Sequence, residues 1–164
     1  MTHSTRPAKP ADAALIHALI RELADYERLA HAVRSTPEMI GAALFGPSPR
    51  VFCEIAEAAE GPAGLALWFY DFSTFEGRHG IFLEDLYVRP AARGQGLGKA
   101  LLGRLARRCS DEGLTRLQWS VLDWNAPSIA FYRALGAEML DGWTGCRVTG
   151  GALARLAAPD GASS

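Results

Sequence analysis

Cysteine is scarce in this chain. Cys53, Cys109 and Cys146 are its only three, they stand far apart, and none belongs to a Cys-x-x-Cys pair or a Cys/His cluster. A disulfide framework and a zinc site are therefore not expected. A surplus of either charge is missing too. Lys and Arg number 17 against 18 Asp and Glu, a formal net charge of −1, whereas a nucleic-acid surface needs a basic surplus or stripe. No stretch approaches the ~20 apolar residues that span a membrane. The first ten residues hold no apolar run, so no signal peptide is expected. There is no internal repeat and no low-complexity linker. What is present is ordinary globular composition, 164 residues with 49% hydrophobic and 21% charged. One domain over residues 1–158 with a loose tail at 159–164 is the expectation. So is a soluble, cytoplasmic protein without a metal.

Taken in order, Thr5 and Arg6 read as a short edge strand stopped by Pro7. Asp12 is a good N-cap, and Leu15, Ile16, Leu19, Ile20 and Leu23 recur at helical spacing, which predicts a helix over 12–29. His17 falls off that stripe and reads as solvated. Ser35-Thr36-Pro37-Glu38 signals a second helix, ending by Gly46-Pro47. The period then changes. Residues 51–58, 64–72 and 81–89 are strand-like runs joined by short turns, which implies an antiparallel meander. A helix over 97–111 leads to a strand over 116–122, so these two strands should run parallel across the helix. Asn125 or Asp123 caps a helix over 127–135. Residues 137–141 and 143–149 read as two last strands around Asp141-Gly142, and a short helix follows from Thr149. Seven strands and four to five helices make an α+β chain with a mixed sheet.

The stretch Leu83-Glu84-Asp85-Leu86-Tyr87-Val88-Arg89-Pro90-Ala91-Ala92-Arg93-Gly94-Gln95-Gly96-Leu97-Gly98-Lys99 carries the chemistry. It reads as a strand, a basic glycine-rich loop and a helix start. Bare N–H groups and the positive end of a helix dipole form an anion site. A nucleotide P-loop would need Gly where Arg93 stands and a hydroxyl where Ala100 stands. A dinucleotide fingerprint would need Gly at Lys99. Arg93-x-x-Gly96-x-Gly98 instead resembles the Arg/Gln-x-x-Gly-x-Gly/Ala pyrophosphate loop of the GNAT acetyltransferase superfamily.

Three other segments sharpen the resemblance. Tyr26-Glu27 ending the first helix, Leu83–Val88, and Trp124-Asn125-Ala126-Pro127-Ser128-Ile129-Ala130-Phe131-Tyr132, together with the loop, are similar to the diamine (spermidine/spermine) acetyltransferase family. The resemblance implies a GNAT fold, acetyl-CoA as donor, a small amine as acceptor and a homodimer. It places the donor on Leu86, Tyr87 and Val88, on Arg93, Gly94, Gln95, Gly96, Leu97, Gly98 and Lys99, and on Asn125, Pro127 and Ser128. It places the amine beside Tyr26, Glu27, Glu84, Asp85, Gln118, Trp119, Ser120 and Asp141, the last standing where the family has Glu.

The chemistry agrees with these residue types. A free alkyl amine has a pKa of roughly 10 and is charged at neutral pH, so a carboxylate is needed to bind it and help remove its proton. Glu84 is the candidate base. Asp85 should point to the opposite face by strand alternation. Tyr132 is the candidate acid for the leaving sulfur, a phenol of suitable pKa. Phe131 and Tyr132 cannot share a helix face, so one is core and the other a site residue. No cysteine lies in these segments, which favours direct attack in a ternary complex. The acceptor expected first is a diamine or polyamine. The alternatives are an amino-acid or thialysine-like side-chain amine, and a non-catalytic acyl-CoA-binding sensor.

Overall fold

A computed structural model describes residues 4–158. The expected tail at 159–164 lies outside the described residues. The chain divides into two compact units, one running to Ser120 and one from Val121 onward.

The first unit is a five-stranded sheet with three helices. Its strands are β1 (Ser4–Pro7), β2 (Phe52–Ala58), β3 (Gly61–Ser73), β4 (Arg78–Val88) and β5 (Leu117–Trp119), in spatial order β1-β2-β3-β4-β5. The first three pairings are antiparallel and the β4–β5 pairing is parallel, as the meander followed by a helical crossover requires. The helices are α1 (Ala13–Tyr26), α2 (Pro37–Phe45) and α3 (Leu97–Glu112).

Alternation along β2 sorts its side chains between the two faces of the sheet. Cys53 and Ile55 join Ile16, Leu19 and Leu23 of α1 and Leu44 of α2 in one apolar cluster, which also takes in Leu65, Leu67 and Tyr87. Glu54 points the other way and accepts a charge-assisted bond from Arg104 of α3. Leu97, Leu101, Leu102 and Leu105 of α3 are buried. Burying one such leucine contributes about 1.5–3 kcal/mol.

Where the elements end is decided by local chemistry. The helix expected over 12–29 stops at Tyr26, because the Leu29 N–H bonds the Ala24 carbonyl and the Arg28 N–H bonds that of Asp25. Those two bonds close a Schellman turn with Arg28 at φ 62, the one non-glycine residue at positive φ among those described. The chain then folds back through a short 3-10 turn over 30–32. That return carries Ser35 against α1, and its carbonyl lies 2.7 Å from His17 Nε2. His17 is therefore a tertiary contact and not the solvated residue its place off the apolar stripe suggests.

The second unit holds α4 (Ala126–Ala134) and α5 (Gly150–Ala157). The two strands expected over 137–141 and 143–149 do not form, and β5 covers only Leu117–Trp119 of the run expected over 116–122. The sheet thus has five strands where seven were expected. Alternating apolar residues make a strand only when another strand meets their backbone N–H and C=O groups. Among the described residues no strand pairs with 137–149, and Gly142 takes φ 90 in a turn. Leu140 and Trp143 are exposed there.

Candidate active site

The donor loop is built from backbone. After β4 a 3-10 turn over Pro90–Ala92 leads to Gly94 at φ 76 and Gly96 at φ 82. Both conformations favour glycine. Gly96 is the N-cap of α3, and no side chain caps that end. Of the following residues, the Ala100 N–H is the first to find its helical partner, the Gly96 carbonyl at 2.9 Å. The N–H groups of Leu97, Gly98 and Lys99 belong to the first turn, where an anion is stabilised by the helix dipole. This is the chemistry a pyrophosphate needs.

Arg93, the first residue of the motif, is held by its neighbours. Its Nε donates to the Val88 carbonyl at 2.9 Å, and its guanidinium lies 5.0 Å from the Tyr26 ring centre and 5.9 Å from that of Tyr87. Arg89 beside it grips Glu22 of α1 at 2.8 Å and donates to the Pro62 carbonyl at 3.1 Å. The two arginines tie the C-terminal half of α1 to the end of β4. Neither Glu22 nor Arg89 was singled out from the sequence. Their signal was weak, an acid on a helix and a base after a strand.

The opening in the sheet is set by a register shift. Leu67 pairs with Asp85 and Trp68 with Leu83, so Glu84 is an extra residue in β4, a β-bulge. The parallel pairing with β5 ends at Leu83–Trp119, one residue before that bulge. Among the described residues, β3 is the one strand that pairs with β4 from Leu86 to Val88. On the β5 side no described strand pairs with these residues, and unpaired strand N–H and C=O groups are the kind that bond the amides of an extended ligand.

The bulge also changes the carboxylates. Simple alternation would send Glu84 and Asp85 to opposite faces, but a bulge interrupts alternation and re-aims its side chains. Glu84 is exposed and Asp85 is half-buried. The Asp85 carboxyl is pushed up to about 6, first by burial, then by the negative charges of Glu84 and Glu27. Glu27 is itself raised above the ordinary carboxylate range by burial. The structure therefore brings Glu27, Glu84 and Asp85 into one electrostatic group. A cation entering it would relieve the mutual repulsion.

On β5, Gln118 donates from Nε2 to Asp71 Oδ2 at 2.7 Å. Trp119 is the last strand residue and Ser120 follows it. Cys53 and Cys109 are buried and their thiols are raised by burial, so neither is an activated nucleophile.

In the second unit, Asn125 is buried and its Oδ1 accepts from the Ser128 N–H at 3.3 Å, capping α4 with Pro127 in the first turn. Tyr132 is 8% exposed, whereas its neighbour Phe131 is half-buried. Asp141 lies in the turn before Gly142 and is exposed.

Comparison with known proteins accords with this geometry. The model of the acetyltransferase (GNAT) family matches residues 13–137. A thialysine N-epsilon-acetyltransferase from Bos taurus is 39% identical over 163 residues, covering 93% of this chain and 95% of that protein. An L-ornithine N5-acetyltransferase from Arabidopsis thaliana is 28% identical, covering 90% and 85%. A spermidine/spermine N(1)-acetyltransferase-like protein from Homo sapiens is 30% identical over 84% of this chain but only 21% of its own length. Among solved structures, an integron cassette protein from V. cholerae superposes with a TM-score of 0.78 at 23% identity, covering 96% of this chain and 98% of that one. Among the described residues no helix is long and apolar enough to cross a membrane. With the family model spanning most of its length, the chain belongs to the GNAT acetyltransferase family and is an N-acetyltransferase of that type.

Proposed function

We propose that the protein transfers an acetyl group from acetyl-CoA to the terminal amine of a small cationic acceptor by direct attack in a ternary complex. The observation that carries this reading is one strand with two sides to its end. β4 leads into an uncapped helix N-terminus suited to pyrophosphate, and its bulge gathers carboxylates suited to an ammonium group.

The residues present fit the donor. Acetyl-CoA supplies the activated thioester. The N–H groups of Gly94 to Lys99 would hold its pyrophosphate, and the open edge of Leu86, Tyr87 and Val88 its amide arm, with a backbone N–H left to stabilise charge on the thioester oxygen. Asn125, Pro127 and Ser128 are donor residues by resemblance. Glu84, exposed at the bulge, draws the proton from the ammonium directly or through water. Glu27 and Asp85 supply the field that holds the cation. Tyr132 gives its phenol proton to the leaving sulfur, the role the resemblance assigns it. Tyr26, Trp119, Ser120 and Asp141 complete the amine side by the same resemblance.

Two acceptors are in view. The thialysine and ornithine enzymes among the relatives support a side-chain amine of an amino acid. The spermidine/spermine-like relative keeps the diamine or polyamine as the second reading. Turnover with acetyl-CoA and a panel of thialysine, lysine, ornithine, diamines and spermidine separates them. Highest kcat/KM for thialysine or ornithine supports the first reading. Highest kcat/KM for a diamine supports the second, and no turnover with any of them overturns both. A homodimer follows from the resemblance. A dimeric mass in light scattering is expected, and a monomeric mass overturns it.

A further inference from the structure

One carboxylate in the sheet has no part in the mechanism above. Asp71 lies on β3 opposite Gly80 of β4, inside the aromatic-rich run Trp68-Phe69-Tyr70-Asp71-Phe72. Its partners come from the far side of β4. Arg116 donates from Nη2 at 3.0 Å and from Nε at 3.3 Å, and Gln118 donates from Nε2 at 2.7 Å, all to Oδ2. Arg116 Nη2 also donates to the Phe72 carbonyl at 3.2 Å. Oδ1 is buried and has no hydrogen-bond partner.

β3 and β5 are not neighbours, since β4 lies between them. The bridge passes over Gly80 because that residue has no side chain. A Cβ there would stand 2.5 Å from Arg116 Cγ and 2.7 Å from Asp71 Oδ1. The clamp acts on a weakly held strand, as the β4–β5 register has only three pairs and ends at Leu83–Trp119.

The chemistry of the clamp fixes more than the strand. An ionised carboxylate only accepts, whereas an amide has a donor end and an acceptor end. With Asp71 as partner, Gln118 must turn its NH2 toward the carboxylate, which directs Oε1 away from it. Gln118 sits one residue before the last β4–β5 pair, Leu83–Trp119, on the strand segment that the resemblance places on the amine side.

We propose that Asp71 is a positioning residue for the acceptor amine: it orients the Gln118 amide so that the oxygen, an acceptor for N–H donors, is the end offered to the ammonium group. This rests on the reading of the protein as an amine acetyltransferase. Asparagine at position 71 can both donate and accept, so Asp71→Asn releases the amide from one orientation.

The test is a double-mutant cycle on steady-state constants. Gln118→Met is expected to raise the amine KM about 10- to 100-fold, the loss of one hydrogen bond to a charged group, with the acetyl-CoA KM within about twofold of wild type. Asp71→Asn is expected to raise the amine KM by a smaller factor in the same direction. In the Gln118→Met background, Asp71→Asn is expected to add nothing to the amine KM, although it still lowers Tm because Arg116 loses its charge partner. A purely structural Asp71 would move Tm and kcat alike in both backgrounds, and additive effects on the amine KM would overturn the proposal. An unchanged amine KM in Gln118→Met overturns it without recourse to any Asp71 variant. If the wild-type protein acetylates none of the amines in the panel, the underlying reading fails, and that outcome is read before any variant is made.

Discussion

The two sides of the β4 end are built from different materials. The proposed donor side, Gly94 to Lys99, is backbone: two glycines at positive φ and a helix start that no side chain covers. The proposed amine side is side chain: Glu27 from the end of α1 and Glu84 and Asp85 from the bulge in β4, with the Asp85 carboxyl raised by burial and by the negative charges of Glu84 and Glu27. A backbone site depends on which positions can adopt a conformation and tolerates many side chains. A carboxylate group depends on the identity and charge of each member, and so on pH.

Substitutions can break that contrast, beginning with the largest effect. Gly96→Val places a β-branched residue at φ 82, strain on the order of 1–3 kcal/mol at the first turn of α3. Acetyl-CoA binding is expected to fall more than about 100-fold in calorimetry; normal binding would remove the loop from the donor site. Tyr132→Phe leaves the loop and the carboxylates intact and removes only a proton donor. It is expected to cut kcat about 100-fold with acetyl-CoA affinity unchanged, and an unaltered kcat would end the assignment of Tyr132 as the acid.

Asp85→Asn tests the other side. The amine KM is expected to rise about 10-fold while the acetyl-CoA KM stays put, and equal changes in both would erase the distinction. The same variant carries a stability signature. The native Asp85 carboxyl titrates at about 6 against an ordinary 3.8, so the native state binds its proton more tightly than the unfolded state does. Stability is then lost as pH rises from 3.8 to about 6 and is level above that window. Asp85→Asn removes this loss and is expected to raise stability at pH 7 by about 1–3 kcal/mol, with a smaller gain at pH 4.5, read from urea denaturation. The smallest effect belongs to Gln95→Ala, a side-chain truncation inside a backbone site. Acetyl-CoA affinity is expected to change by less than about threefold. A loss as large as that of Gly96→Val would show that side chains build this side too.

The same contrast explains what the sequence disclosed. Glycines demanded by backbone conformation are visible as letters, so Arg93-x-x-Gly96-x-Gly98 marked the loop and the start of α3 directly. The helices and the first four strands followed from apolar periodicity and turn residues, because those elements answer to local rules. The bulge at Glu84 is a relation between two strands, and nothing in Leu83-Glu84-Asp85-Leu86 shows that its alternation is broken. The Schellman turn at Arg28 was hidden for a similar reason, since arginine is not the residue expected at positive φ. Residues 137–149 carried a strand pattern without a strand to pair with, and a pattern of side chains does not state whether a partner exists. Asp71 left a faint trace, a lone carboxylate inside an aromatic strand, where an unpaired charge is not tolerated. Its partners Arg116 and Gln118 lie 45 and 47 residues away.

The central claim is that ionised carboxylates at the β4 bulge hold a cationic amine while backbone groups hold acetyl-CoA. The most direct measurement is the wild-type KM for thialysine and for acetyl-CoA from pH 5 to pH 8. The claim predicts that the amine KM falls as pH rises through about 6, where Asp85 gains its charge, and that the acetyl-CoA KM stays level across the same range. An amine KM indifferent to pH between 5 and 7, or an acetyl-CoA KM that tracks it, would contradict the claim.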